Sequence, residues 1–191
     1  MGSAMLNPCD GAFLDGLSGM LPPGTLIAPE ARYLVELRGR MHGCAGAVAR
    51  PASTAEVSVI LRAAQAARVG VVPYAGGTGL VGGQVMPDGP LPLILSVERM
   101  TRLHDIDVAG NVLVTDAGAV LADVQARAEQ ADRLFPMALG SQGSARIGGL
   151  LATNAGGANV LRWGTMRELC LGVEAVLADG SVVGGLKRLR K

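Results

Sequence analysis

Aromatic residues make up only 3% of the 191 residues: two phenylalanines, two tyrosines and one tryptophan. Charged residues are also scarce, at 17%, and 17 basic against 16 acidic side chains leave a formal charge of +1. No broad field therefore exists to attract nucleic acid. The one basic run, Lys187, Arg188, Arg190 and Lys191, reads as a solvated tail. Histidine is nearly missing; His42 and His104 stand apart and suggest no metal-ligand cluster. Cys9, Cys44 and Cys170 form no Cys-x-x-Cys pair, which fits ordinary thiols in a reducing compartment. No apolar run approaches the 18 or so residues of a membrane span, and no basic-then-apolar leader opens the chain. A soluble cytoplasmic protein without a transmembrane segment is expected.

What the chain does have is apolar residues, at 49%, and 28 glycines, roughly twice the usual share. Such a composition supports a core and excludes a disordered chain, and no Gly-X-Y period points to collagen. The glycines cluster. Windows 76–83 and 140–157 span 26 residues and hold 11 of them, which suggests backbone wrapped closely around something.

Hydropathy patterning predicts a short helix over 12–20, stopped by Pro22-Pro23-Gly24. A second helix starts at a capping box, Ser53 to Glu56, buries Val57, Ile60, Leu61 and Ala64, and stops at Gly70. Residues 71–73 and 91–97 read as strands. Residues 102–108 and 112–116 form a hairpin that sets Leu103, Ile106 and Val108 against Val112 and Val114. A helix over 120–131 pairs Asp123 with Arg127, and 173–178 folds back on 181–183 across Asp179-Gly180. Helices mixed with antiparallel hairpins give the class α+β.

The first glycine loop, PYAGGTGLVGGQ at 73–84, contains a literal G-x-G-x-x-G. The dinucleotide fingerprint requires a helix to follow, but Gly83, Pro87, Gly89, Pro90 and Pro92 forbid one. A lysine-dependent phosphate loop also fails, because no Gly-Lys pair occurs. Two readings stay open for this loop: a tight turn, or successive amides aimed at a pyrophosphate. The second segment, PMALGSQGSARIGGLLATNAGG at 136–157, favours the cradle. It alternates Ser141, Ser144, Thr153 and Asn154 with glycine pairs, supplying neutral donors and close backbone approach.

These segments, with LRGRMHG at 37–43, RPASTAEVS at 50–58, ATNAGGANVLRWGTMRELCLGVEAVLADG at 152–180 and GLKRLRK at 185–191, carry a resemblance. The chain resembles the FAD-binding domain of the vanillyl-alcohol oxidase/p-cresol methylhydroxylase superfamily. Within it, the likeness is to D-2-hydroxyacid dehydrogenases of the D-lactate, glycolate oxidase and D-2-hydroxyglutarate types. The resemblance implies a p-cresol methylhydroxylase-type domain of two α+β subdomains, incomplete at its C-terminal end. An N-terminal helical segment would cover 1–36 and the FAD domain 37–191, with a subdomain break near 97–103.

Carried over by resemblance, Ala75, Gly76, Gly77, Thr78, Gly79 and Leu80 wrap the FAD pyrophosphate. Ser141, Ser144, Ile147, Gly148, Gly149, Thr153, Asn154, Gly156 and Gly157 supply the second set of cofactor contacts. Ala75 replaces a usual glycine, Leu150 an asparagine and Trp163 a tyrosine. Thr78 stands where covalent members have histidine, so FAD is expected to be non-covalent. The implied activity is hydride transfer from a D-2-hydroxyacid to FAD, with an unnamed electron acceptor. The residues that bind substrate and remove its proton fall beyond this chain, so no catalytic residue is named and the chain alone is expected to be inactive. His42 and His104 qualify by residue type only. The alternative is a truncated or subunit flavin-binding module without catalysis of its own.

Overall fold

A computed structural model of the chain describes residues 5–186. The basic tail at 187–191 lies outside the described residues, as does most of the GLKRLRK motif. The fold divides into two units: Met1–Arg99 with Val176–Val183, and Met100–Ala175 with Gly184–Lys191.

The first unit is built on a four-stranded sheet ordered β1-β2-β4-β3, where β1 is Leu26–Ile27, β2 Ala47–Ala49, β3 Val71–Tyr74 and β4 Leu93–Ser96. β1 runs antiparallel to β2; β2 and β3 both run parallel to β4. All four β4 residues are buried, as the uninterrupted apolar run within LPLILSV requires of a central strand. β3 carries Pro73, which donates nothing to a ladder, and it lies at the edge. Two helices precede β2: α1 (Gly11–Ser18), capped by the Asp10 carboxylate accepting from the Phe13 amide at 3.0 Å, and the single turn α2 (Ala31–Leu34).

α3 (Thr54–Ala67) connects β2 to β3 and buries Val57, Ser58, Ile60 and Ala64, leaving Leu61 half-exposed. Its start is capped as the sequence predicts on one side: Ser53 Oγ accepts from the Glu56 amide at 3.2 Å. The return bond differs, since Glu56 Oε2 accepts from the Ala52 amide, at 3.0 Å. Ser53→Ala is expected to cost about 1 kcal/mol, read as a lowered urea midpoint at unchanged slope. The stop is not Gly70. Arg68 takes the left-handed turn, with φ 54°, and its amide bonds Ala64 O and Gln65 O. Gly70 instead makes room for Leu6, whose Cδ1 would lie 3.3 Å from an added Cβ.

The second unit holds the hairpin β5 (Leu103–Asp107) and β6 (Val112–Thr115), followed by α4 (Leu121–Glu129). Asn111 turns the hairpin at φ 52°. Its register shifts between Leu103 and Ile106, so Ile106 faces Leu113 and Asp107 faces Val112. Leu113 rather than Val114 therefore packs on the core, and Val108 is exposed. Arg127 reaches Asp105, at 3.9 Å, instead of Asp123. Three short helices follow, α5 (Ile147–Ala152), α6 (Val160–Trp163) and α7 (Met166–Leu169). α5 and α7 close over a core of Leu121, Val124, Met137, Ile147, Leu150 and Met166, whereas α6 buries no side chain.

The strands β7 (Glu174–Val176) and β8 (Val182–Gly184) pair across the expected turn. Gly180 supplies φ 78°, and Asp179 Oδ1 accepts from the Ser181 amide at 2.8 Å. Within the first unit, the Ser58 hydroxyl donates to Gly180 O and ties this turn to α3. Among the described residues, no helix is long and apolar enough to cross a membrane.

Candidate functional site

In the first unit, the candidate loop leaves the end of β3 directly over a tyrosine. Tyr74 is buried, and its hydroxyl donates to Arg32 O at 2.8 Å. Gly77 crosses above that hydroxyl with φ 67°, and a Cβ there would lie 2.2 Å from Tyr74 Oη. Both the left-handed backbone and the close approach require glycine. Ala75, Gly76, Gly77, Thr78 and Gly79 are half-buried, while Leu80 is exposed.

Three of the loop's carbonyls have donors from its own unit. Gln84 Nε2 lies 2.9 Å from Gly79 O and 3.5 Å from Gly77 O. Gly79 has no side chain to fill that space; a Cβ would meet Gln84 Oε1 at 2.9 Å. The Arg38 guanidinium donates to Leu80 O, and its Nε lies 2.9 Å from the carboxylate of buried Glu36. Burial alone would raise the Glu36 carboxyl. The Arg38 guanidinium and the amides of Arg38 and Arg40 outweigh burial and hold it below the ordinary carboxylate range. No acceptor among the described residues takes a backbone hydrogen bond from the amides of Gly76 to Leu80.

The second segment lies in the second unit, and its residues divide by what surrounds them. Ser144 is exposed and Ser141 half-buried, with the Ser141 carbonyl accepting from the Ser144 and Ala145 amides at 2.9 and 2.8 Å. Gly140 and Gly143 have open space around them. Gly149 and Thr153 lie on α5 and just past it, where Thr153 Oγ1 donates to Gly149 O at 2.9 Å. Gly156 is exposed, and a Cβ on it would meet Val160 Cγ2 at 3.3 Å.

Four of the candidates make their contacts inside the unit. Ile147 is buried, with its amide 3.0 Å from Ala119 O. Gly148 closes on Ala117, its amide 2.7 Å from the carbonyl and a Cβ 2.9 Å from Ala117 Cβ. Gly157 sits where a Cβ would fall 2.2 Å from Ala138 O. Asn154 has φ 48°, and its Oδ1 accepts from Thr165 Oγ1 at 2.8 Å and from the Arg167 amide at 3.0 Å, pinning the start of α7.

The replacements noted in the sequence also find places. Leu150 packs in the core, where an asparagine would bury a polar amide. Trp163 is partly exposed, with the Arg162 guanidinium 5.1 Å from its ring centre. The histidines stay apart: exposed His42 has Nε2 3.2 Å from Gly39 O, and His104 Nε2 lies 3.4 Å from Asp116 Oδ1. Tyr74, Gln84, Arg38 and Glu36 are the site residues that motif reasoning missed. Arg38 and Gln84 stand within quoted motifs, but no spacing rule links a glutamine to carbonyls five and seven residues back.

Residues 45–184 match the family model described as "FAD binding domain". The chain is 40% identical over 153 residues to the mitochondrial D-2-hydroxyglutarate dehydrogenase of Rattus norvegicus, covering 79% of this chain and 28% of that protein. It is 33% identical over 168 residues to a D-2-hydroxyglutarate–pyruvate transhydrogenase of Saccharomyces cerevisiae, covering 86% of this chain and 33% of that protein. Among solved structures, an alkyldihydroxyacetonephosphate synthase matches with a TM-score of 0.82 at 17% identity, over 98% of this chain and 36% of the other. That last likeness is one of fold. The chain spans about a third of the length of the curated relatives it matches.

Proposed function

The chain belongs to the FAD binding domain family, and from that premise we propose that it is the FAD-binding part of a flavin-dependent D-2-hydroxyacid dehydrogenase. The observation that carries the reading is the family match across residues 45–184, joined to relatives whose names specify D-2-hydroxyglutarate chemistry. The first loop fits a pyrophosphate on its own geometry. Its amides from Gly76 to Leu80 have no backbone acceptor among the described residues, and the carbonyls of Gly77, Gly79 and Leu80 are held by Gln84 and Arg38. Several N–H groups left available in a loop without blocking side chains suit an anion.

Ala75 to Leu80 would hold the phosphates, and Ser141, Ser144, Gly149, Thr153 and Gly156 would supply further contacts through hydroxyls and bare backbone. Thr78 offers no imidazole for a covalent bond, so the flavin is held non-covalently. When bound, FAD supplies a ring that accepts hydride from the substrate carbon. This chain's own part is to bind and orient. Neither His42 nor His104 is assigned the role of base, and the substrate class proposed for the whole protein is a D-2-hydroxyacid.

Titrating the purified chain with FAD tests the reading. Flavin fluorescence is expected to quench on binding, and acid precipitation is expected to release the flavin into the supernatant. A folded chain that takes up no FAD would overturn the proposal. With D-2-hydroxyglutarate and a redox dye, the FAD-loaded chain is expected to show no turnover.

A further inference from the structure

We infer that Gln84 is the positioning residue that gives the 75–80 loop its polarity, acting with Arg38 to capture loop carbonyls so that the amides are left for an anion. This inference rests on the FAD-binding reading and deepens it. A peptide loop carries equal numbers of donors and acceptors, so a run of glycines is not by itself an anion site. An exposed carbonyl near a phosphate repels it as much as an amide attracts it. What makes a loop electropositive is an asymmetry in which end of each peptide is already satisfied.

The structure shows that asymmetry at three peptides of the loop, Gly77, Gly79 and Leu80. Gln84 Nε2 is 2.9 Å from Gly79 O and 3.5 Å from Gly77 O, and Arg38 donates to Leu80 O. The amides of Gly76 to Leu80, by contrast, have no backbone acceptor among the described residues. Both donors are held in place. Arg38 is fixed by the carboxylate of buried Glu36 at 2.9 Å, and Gln84 occupies the space left by the missing side chain of Gly79. An amide side chain suits this position because its NH2 group can serve two carbonyls at once. Because the Gln84 amide nitrogen is engaged by protein carbonyls, its effect on FAD is exerted through the loop.

The test compares FAD affinity, by fluorescence quenching, in the wild-type 191-residue chain and in Gln84→Met, Gln84→Ser and Gln84→Glu. Methionine matches glutamine in length but cannot donate; glutamate adds an acceptor and a charge facing the carbonyls. The expected order is wild type, then Met and Ser weakened roughly tenfold, then Glu weakened further still. The melting temperature without flavin, measured in parallel, is expected to change by no more than a few degrees in Met and Ser. Gln84→Met binding FAD as tightly as wild type would show that the side chain only fills space, and overturns the inference. The same follows if affinity falls only in step with the flavin-free melting temperature. If Gln84→Glu does not fold, Met and Ser decide the matter. Failure of the wild-type chain to bind FAD instead overturns the reading beneath, and the inference with it.

Discussion

Gly157→Ala is expected to lower the melting temperature of the flavin-free chain by roughly 5–10 °C, while Gly140→Ala leaves it within about 1 °C. The two glycines belong to the same cluster but have different surroundings. At Gly157 an added Cβ would fall 2.2 Å from Ala138 O, 3.0 Å from Ala138 C and 3.1 Å from Ala138 N. Every one of those atoms is backbone, so no rotamer change relieves the clash. The two strands of chain must separate, which strains the Ala158 amide bond to Ala138 O at 3.1 Å and the Asn159 Nδ2 bond to Pro136 O at 2.9 Å. A cost of about 2–3 kcal/mol follows from overpacking and the weakened bonds. At Gly140 nothing lies within 4 Å and φ is not positive, so a methyl group meets only solvent. Thermal unfolding of the two variants, without and with FAD, is the measurement. If Gly157→Ala melts like wild type without flavin and loses only FAD affinity, the glycine serves the ligand and not the chain.

That contrast explains why the glycine excess was legible as a cluster but not position by position. Composition shows that backbone comes close to something near 140–157. Whether the neighbour is a cofactor or Ala117 and Ala138 of the same unit depends on tertiary contacts between segments some twenty to thirty residues apart. Local signals with local causes were readable: the Ser53 cap, the buried run of β4, and the Asp179-Gly180 turn. Signals that depend on a partner elsewhere were not. One shift between Leu103 and Ile106 exchanges Val114 for Leu113 on the core, because side-chain direction alternates with each residue. Arg127 has two carboxylates within its reach, and the hairpin brings Asp105 to it. Arg68 adopts a turn that residue type favours for Gly70, since the Ala64 and Gln65 carbonyls already specify where the helix ends.

The support beneath the first loop leads to the second large effect. Glu98 accepts from the Tyr33 hydroxyl at 2.8 Å, from Arg32 Nη1 at 3.0 Å and from Arg50 Nη1 at 3.3 Å, with its side chain only 12% exposed. Tyr33 is fully buried and meets Tyr74 edge-on at 4.9 Å between ring centres; Tyr74 in turn lies beneath Gly77. Glu98→Gln keeps the shape but puts an NH2 group where one carboxylate oxygen accepted, and removes the charge that balances two guanidiniums. A loss of about 2–3 kcal/mol at pH 7 is expected.

The pH dependence separates a charge effect from a packing effect. Burial alone would raise the Glu98 carboxyl, but the hydrogen bonds from Tyr33, Arg32 and Arg50 outweigh it and hold the group below its ordinary value. The stability it contributes is therefore complete above the unfolded-state value of about 4.3 and is lost as pH falls through the lower folded value. Urea unfolding of wild type and Glu98→Gln is expected to give a gap that is constant from pH 7 to about 5 and narrows below about 4. A gap of the same size at pH 3 as at pH 7 would mean that the carboxylate's charge contributes nothing and that only its shape matters. Under the charge-based account, FAD affinity in Glu98→Gln also weakens at pH 7, because Tyr74 and Gly77 lose the rigid support that Tyr33 provides.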